Sequence, residues 1–233
     1  MSHDPARSIP RWAGAAFVAQ FVTSLAAGLI LASVVTGDTA ESVRNATSHA
    51  AALRASIVLE LATSVGIIAL TCMLYLALRR ASRPAALVAF ACWLAEAAVL
   101  AVSVVGSLAL LDLTGSRRSE SVDVQAAQRA LGLREHAAAV ALLLFGVGAV
   151  LWYALMIHTR FVPLWLSVWA LVGASLILIA TVLVLCGVTA PIALYVLYVP
   201  VELVLGLWLV VRGSAYAPEL AVTEPPTPID VRD

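Results

Sequence analysis

Six long apolar stretches take up most of the chain, and they constrain its fold more than any other feature. A helix needs about 20 apolar residues to cross the hydrocarbon core of a bilayer. Each stretch is continuously apolar rather than alternating at a period of two, which favours helices over barrel strands, because a helix satisfies its own backbone polar groups. The sequence therefore predicts an all-α, polytopic membrane protein with six transmembrane helices in one bundle. The predicted spans are residues 12–35, 54–78, 85–111, 135–157, 164–187 and 191–211.

The composition agrees with a membrane bundle and argues against other classes. Hydrophobic residues make up 62% of the 233 residues, whereas soluble domains are about 45–50% apolar. The formal net charge is zero, so charge gives no reason to expect a nucleic-acid partner. The three cysteines show no spacing typical of a metal site or a disulfide framework. We therefore expect no metal, no cofactor and no nucleic acid, and the lipid bilayer is the partner that the sequence indicates.

The predicted layout is a cytoplasmic segment over residues 1–11, a membrane domain over 12–213 and a disordered cytoplasmic tail over 214–233, which lacks apolar content. Six spans place both termini on one side of the membrane. Near the span ends, seven arginines lie on the terminal side and six on the other, and the dense Arg79–Arg83 turn favours a cytoplasmic terminal side. Every basic residue is arginine, which with the alanine, valine and leucine bias suggests a bacterial inner membrane.

Two details concern the span boundaries. Residues 112–134 form a long polar connection, in which Ser121 is placed to cap a short helix over Val122–Leu131 that Gly132 would end. Tryptophan and tyrosine residues near span ends are typical of anchors at the membrane interface. On that basis we interpret five aromatic residues as interface anchors: Trp12, Trp152, Tyr153, Trp165 and Trp208.

Three glutamates lie inside the apolar stretches. A charged carboxylate at the centre of a span costs about 2.5–3.5 kcal/mol on insertion scales. Glu96 lies about 16 Å from the inner end of its span, and Glu202 lies at a similar depth from the outer end of the last span, at 1.5 Å per residue. Glu60 is shallower, about 9 Å from the outer end by the same rise. Because such residues are rarely tolerated facing lipid, they indicate where a function should be sought.

The spacing of polar residues predicts an outward-facing polar chamber. Tyr195, Tyr198 and Glu202 fall at i, i+3 and i+7, which places them on one helix face. Arg54, Glu60 and His136 would lie near the outer mouth, and the two deeper glutamates would form its floor. The predicted chamber residues are therefore Arg54, Glu60, Glu96, His136, Tyr195, Tyr198 and Glu202.

Three functions fit this chamber. The first is binding or translocation of a small molecule, a lipid headgroup or a proton. The second is a structural or signalling role, in which buried neutral carboxyls pin helices together and Arg54 pairs with Glu60 or Glu135 at the interface. The third is an intramembrane enzyme that uses Glu60, Glu96 and His136, although a metal hydrolase needs at least three convergent ligands and a single histidine lies within the spans. No residue is assigned a catalytic or metal-binding role, and the sequence does not indicate an oligomeric state.

Several short motifs occur in a recognisable order. An arginine opens the second span with an acidic residue six positions later, a LAEAAVLAV stretch surrounds Glu96, and a histidine opens the fourth span. The sequence FVPLW follows at Phe161–Trp165, and the last span carries Val201-Glu202-Leu203 and ends with LWLVVRG at residues 207–213. In order and spacing, this series resembles a bacterial membrane family known as domain of unknown function 4386, over about residues 10–213.

The resemblance implies a six-helix membrane protein and supplies no activity. It raises five of the polar residues above the others as candidates: Arg54, Glu60, Glu96, His136 and Glu202. The family pattern often has an arginine three residues before the glutamate of the third span. This chain has Trp93 at that position, which removes a partner for Glu96. We therefore expect Glu96 to be neutral in the membrane, where an unpaired charge is costly.

Overall fold

The computed structural model describes residues 5–115, 124–191 and 193–213, and these ranges contain helices and no strands. The predicted tail and the capping residue Ser121 lie outside them. The predicted all-α class and the six membrane-spanning segments are confirmed, with the last span formed by two consecutive helices. The helices are α1 (Pro5–Val34), α2 (Thr39–Ser48), α3 (Ala50–Leu78), α4 (Arg83–Gly115), α5 (Val124–Thr159), α6 (Leu164–Leu185), α7 (Ala193–Val196) and α8 (Val199–Arg212).

The long helices pack as a ring around a shared core. Helix α1 packs against α3 and α8, α3 against α4, α4 against α5, and α5 against α6, which in turn meets α7 and α8. Small residues allow close crossings in a membrane. A Cβ atom at Gly14 of α1 would lie only 2.6 Å from the backbone nitrogen of Val210 on α8. The first and last spans therefore approach each other at a distance that only glycine permits.

The short helix α2 covers one end of the bundle. It begins after Asp38, whose carboxylate accepts a hydrogen bond of 2.7 Å from the backbone N–H of Glu41. Its buried residues Val43 and Ala46 join a second apolar cluster with residues from the ends of α1, α3, α4 and α5. We call this the α2 end of the bundle, and the opposite end, which carries the Arg79–Arg83 turn, the Arg79 end.

Helix α5 differs from the prediction for the 112–134 connection. It begins at Val124 and continues without interruption through Gly132 to Thr159, so the prediction of a separate short helix that ends at Gly132 is wrong. A glycine inside a helix costs about 1 kcal/mol relative to alanine. Burial of Ala127 and Ala130 in the bundle offsets that cost.

The last span also differs from a single continuous helix. Helix α7 ends at Val196, a turn covers Leu197 and Tyr198, and α8 begins at Val199. Pro200 explains the break, because proline has no N–H to donate to the carbonyl of residue 196 and its ring clashes with that carbonyl in a continuous helix. The N-terminus of α8 consequently lies within the span.

Candidate functional site

A cluster of polar side chains lies inside the bundle around Glu202. We call it the carboxylate centre, and its members come from α1, α4, α5, α8 and the turn before α8: Gln20, Glu96, Tyr153, Tyr198 and Glu202. Glu202 lies in the first turn of α8 and is 8% exposed. The Tyr198 hydroxyl donates a hydrogen bond of 3.0 Å to its Oε1 atom, and Gln20 Nε2 lies 3.4 Å from both of its oxygens. Neutral donors therefore hold Glu202 in place.

The hydroxyl groups of two tyrosines form a chain that ends on this carboxylate. The Tyr153 hydroxyl lies 2.5 Å from the Tyr198 hydroxyl. Because the single hydroxyl proton of Tyr198 is directed at Glu202, Tyr153 is the donor in the bond between the two tyrosines. Both protons therefore point towards Glu202, which accepts hydrogen bonds in this arrangement.

Glu96 faces the same centre from α4. It follows Trp93 by one turn of α4, and the Trp93 ring contacts Phe145, which in turn contacts Tyr198. Glu96 is 8% exposed, and its Oε2 atom is buried without a hydrogen-bond partner among the described residues. The Oε1 atom of Gln20 is buried and unpartnered in the same sense. The spare Gln20 oxygen is therefore a hydrogen-bond acceptor, and the spare Glu96 oxygen is an acceptor when Glu96 is ionised.

Aromatic rings surround the carboxylate centre. Trp93, one turn before Glu96, stacks on Phe145 with ring centroids 5.9 Å apart and meets Phe17 edge-on at 6.3 Å. Phe145 in turn contacts the Tyr198 ring edge-on at 5.4 Å. The indole N–H of Trp93 donates to the backbone carbonyl of Phe145 at 3.1 Å. At the position where the resembled family often has an arginine, this chain thus has a ring whose one donor is already used.

The break in the last span adds a helix terminus to the site. Because α8 begins inside the span, the positive end of its dipole lies beside Glu202 in its first turn. Helix termini within the bilayer are a recurring feature of binding sites in secondary transporters. The α8 terminus favours the negative charge of a carboxylate at this position.

A second polar cluster lies between α3, α4 and α5. We call it the ion-pair group, and it consists of Glu60, Ser107 and Arg134. Arg134 binds Glu60 with both guanidinium ends, with Nη1 lying 2.9 Å from Oε2 and Nη2 bonding Oε1. Nη1 also donates to the Ser107 hydroxyl at 2.7 Å. The two charged side chains are 14% and 9% exposed, so this is a largely buried, bidentate pair.

A glycine positions the ion-pair group. A Cβ atom at Gly106 of α4 would lie 2.5 Å from the carbonyl oxygen of Ala130 on α5, so the two backbones touch at this point. This contact brings Arg134, one turn further along α5, beside Ser107. Ser107 follows Glu96 by 11 residues, so the ion-pair group lies about 16 Å along α4 towards the α2 end.

The structure brings three of the seven predicted chamber residues together, namely Glu96, Tyr198 and Glu202. Glu60 belongs to the ion-pair group and pairs with Arg134 rather than with Arg54, which is exposed. The remaining two are separate from both clusters. They are His136, an exposed side chain whose Nδ1 lies 2.5 Å from the Gly132 carbonyl, and Tyr195, a partly buried residue that packs on the apolar core.

Four residues of the two clusters were not among the predicted chamber residues, and they are Gln20, Ser107, Arg134 and Tyr153. The interpretation of Tyr153 and Trp152 as interface anchors is wrong, because both side chains are 0% exposed and lie in the core. The core position of Tyr153 could have been predicted from spacing, since Phe145, Ala149 and Tyr153 recur at four-residue intervals on one face of α5. Arg134 directly precedes an apolar run and resembles an ordinary interfacial arginine.

Comparison with known proteins gives a family without an activity. The family model described as Domain of unknown function (DUF4386) matches residues 12–213. No curated protein and no solved structure matches the chain. Within the described residues, no group of three or more histidine, cysteine, aspartate or glutamate side chains is arranged to hold a metal ion.

Proposed function

We propose that this multi-pass membrane protein, which belongs to the family described as Domain of unknown function (DUF4386), binds a small ligand at its carboxylate centre. The observation that supports the proposal is the pair of buried polar atoms, Glu96 Oε2 and Gln20 Oε1, that have no hydrogen-bond partner among the described residues. A buried polar atom without a partner costs about 1–3 kcal/mol. A ligand that donates hydrogen bonds to Glu96 and Gln20 would remove that cost.

The proposed route to the centre starts at the α2 end. The positive-inside rule and the arginines of the Arg79–Arg83 turn favour cytoplasmic termini in an inner membrane, with the α2 end facing outwards. A ligand from that side would pass the ion-pair group before it reaches Glu96. The buried Ser103 lies between the two clusters on α4, one turn from Ser107. Glu96, Ser103 and Ser107 thus form a polar face along α4.

The geometry favours binding over the intramembrane-enzyme alternative. The three residues required for that chemistry lie in different surroundings: Glu96 in the carboxylate centre, Glu60 in its pair with Arg134, and His136 on an exposed surface. A general acid and a general base must both reach one reacting atom. The structural alternative, in which the buried carboxyls only hold helices together, predicts that no ligand stabilises the protein.

A ligand-stabilisation screen on purified protein in nanodiscs tests the proposal. The proteins compared are the parent chain, Glu96→Gln, Glu202→Gln and the control Glu41→Gln, which changes an exposed glutamate of α2. We expect at least one compound to raise the thermal midpoint of the parent and of the control, and to lose this effect in both site variants. If no compound stabilises the parent, or if all four proteins respond equally, the centre is structural.

A second candidate function is proton exchange at the same centre. The hydroxyl chain from Tyr153 through Tyr198 to Glu202 favours it, because ionisable residues and hydrogen-bonded chains within membranes mark proton pathways. Infrared difference spectra between acidic and alkaline buffers should show a carboxyl C=O band that is absent in Glu202→Gln. A parent spectrum without such a band would exclude proton exchange at Glu202 under these conditions.

A further inference from the structure

We infer that the ligand of the carboxylate centre carries a primary ammonium group. This inference rests on the proposed function and specifies the chemical class of its ligand. Three features of the centre support it independently: the balance of charge, the inventory of donors and acceptors, and the aromatic rings around it.

The balance of charge calls for a cation. Glu96 and Glu202 place two acidic side chains inside the bundle, and neither forms an ion pair with an arginine or histidine among the described residues. Without a cation nearby these carboxyls are expected to be neutral, and a bound cation would stabilise their ionised form. The largely buried Arg134 is already engaged by both oxygens of Glu60. Buried charges in a membrane are paired or neutralised. A ligand cation would supply the positive charge that the bundle lacks at this position, whereas an anionic ligand would add to the imbalance.

The donor and acceptor inventory calls for N–H groups. The donors of the centre, Gln20 Nε2 and the two tyrosine hydroxyls, are all directed at Glu202 or at one another. The buried atoms without partners are Gln20 Oε1, which is an acceptor, and Glu96 Oε2, which is an acceptor when Glu96 is ionised. A primary ammonium has three N–H donors and no acceptor. It therefore has enough donors for both unpartnered oxygens and for one oxygen of Glu202.

The aromatic rings near the centre are also compatible with an ammonium group. Trp93, Phe145 and Tyr198 form a continuous series of ring contacts next to Glu96 and Glu202. The faces of such rings attract cations, and cation–π contacts are strongest where water is excluded. A quaternary ammonium would use the rings but would leave both unpartnered oxygens without a donor. The inventory thus distinguishes a primary from a quaternary ammonium.

Two sources could supply this chemistry within a membrane. One is a free primary amine, and the other is the ethanolamine headgroup of a phospholipid. Both present the same –NH₃⁺ group, so the test must vary the soluble compound and the lipid separately.

The test measures the thermal midpoint against ligand concentration for protein in phosphatidylcholine nanodiscs. The probes are methylammonium, phenethylamine, the neutral analogue 2-phenylethanol and the donor-free N,N,N-trimethylphenethylammonium. We expect a primary amine to bind at least about tenfold more tightly than either analogue, because a site built for donors rejects compounds that lack them. The alcohol lacks the charge and keeps one donor, and the trimethyl compound has no donor. Glu96→Gln should abolish the preference and Glu41→Gln should keep it. Glu202→Gln serves as a second site variant if Glu96→Gln does not fold.

Several outcomes separate this inference from the proposed function. Equal binding of 2-phenylethanol that still depends on Glu96 would overturn the ammonium inference and leave a ligand site in place. Failure of every primary amine to stabilise the parent, including the small methylammonium ion, would also overturn it. If the general screen found no ligand as well, the proposed function would fail with it.

A lipid exchange identifies the source. When phosphatidylethanolamine replaces phosphatidylcholine, a headgroup ligand should raise the midpoint of the parent and of Glu41→Gln but not that of Glu96→Gln. An amine effect in phosphatidylcholine without a Glu96-dependent lipid effect would identify a soluble amine. Either result supports the ammonium group.

Discussion

Replacement of Arg134 by methionine isolates the energetic role of the ion-pair group. Methionine keeps much of the length and apolar bulk of arginine but removes its charge and its donors. In Arg134→Met, Glu60 loses both of its guanidinium bonds and Ser107 loses the donor at 2.7 Å. The carboxylate of Glu60, whose side chain is 9% exposed, is then left without a cation.

Two estimates bound the size of the effect. If the bonds alone mattered, three of them at about 0.6 kcal/mol each would give roughly 2 kcal/mol, on the scale measured for side-chain hydrogen bonds within membranes. Loss of one partner of a buried ion pair typically costs about 3–5 kcal/mol, because the remaining charge is uncompensated. Since both side chains are largely buried, we expect the charge to dominate and the loss to be about 3 kcal/mol or more.

Reversible unfolding in mixed micelles measures this loss as a free energy. The matched control is Arg54→Met, which removes an exposed arginine of α3 and should change stability by less than about 0.5 kcal/mol. The double variant Glu60→Gln with Arg134→Met should recover much of the lost stability, because it leaves no buried charge. The reasoning is refuted if Arg134→Met costs no more than its control, or if the double variant is no more stable than Arg134→Met.

Three further predictions concern orientation, packing and the tyrosine chain. In a cysteine-free background, an impermeant thiol reagent should label Glu41→Cys in intact cells and leave Ala81→Cys unlabelled, and the opposite pattern would reverse the topology. Gly106→Val should destabilise the bundle by about 1–3 kcal/mol through overpacking at a close helix crossing, whereas Gly28→Ala, where a Cβ meets nothing within 4 Å, should not destabilise it in the same unfolding assay. Tyr198→Phe removes the hydroxyl that bonds both Glu202 and Tyr153, and at about 0.6 kcal/mol per bond it should cost about 1 kcal/mol in that assay. An unchanged stability would mean that the hydroxyl chain contributes nothing to folding.

The fold could be predicted from sequence because its main signal is local. A continuous apolar run of sufficient length specifies a span without knowledge of its neighbours. The predicted span over residues 164–187 and the observed helix Leu164–Leu185 differ by two residues at one end. Pro200 was also visible within the last apolar run, and its missing N–H could have predicted the break before α8.

The pairings inside the bundle could not be predicted in the same way. Periodicity places Tyr198 and Glu202 on one helix face, but it does not identify the residue opposite them. Gln20 lies 182 positions away from Glu202 in the chain, and the two meet because α1 and α8 cross closely at Gly14. Arg134 was missed for a related reason. Gly132 indicated a helix end just before it. In the structure α5 begins at Val124 and continues through Gly132, because it packs against α4.

The most direct test of the central claim is the energetic coupling between Glu96 and Glu202. The free energies of unfolding of the parent, Glu96→Gln, Glu202→Gln and the double variant give this coupling in a double-mutant cycle. If the two carboxylates form one centre, their effects should be non-additive by at least about 0.5 kcal/mol, as found for residues that interact directly. Additivity within about 0.3 kcal/mol would show that the two side chains are sealed in separate surroundings, which contradicts a shared binding centre.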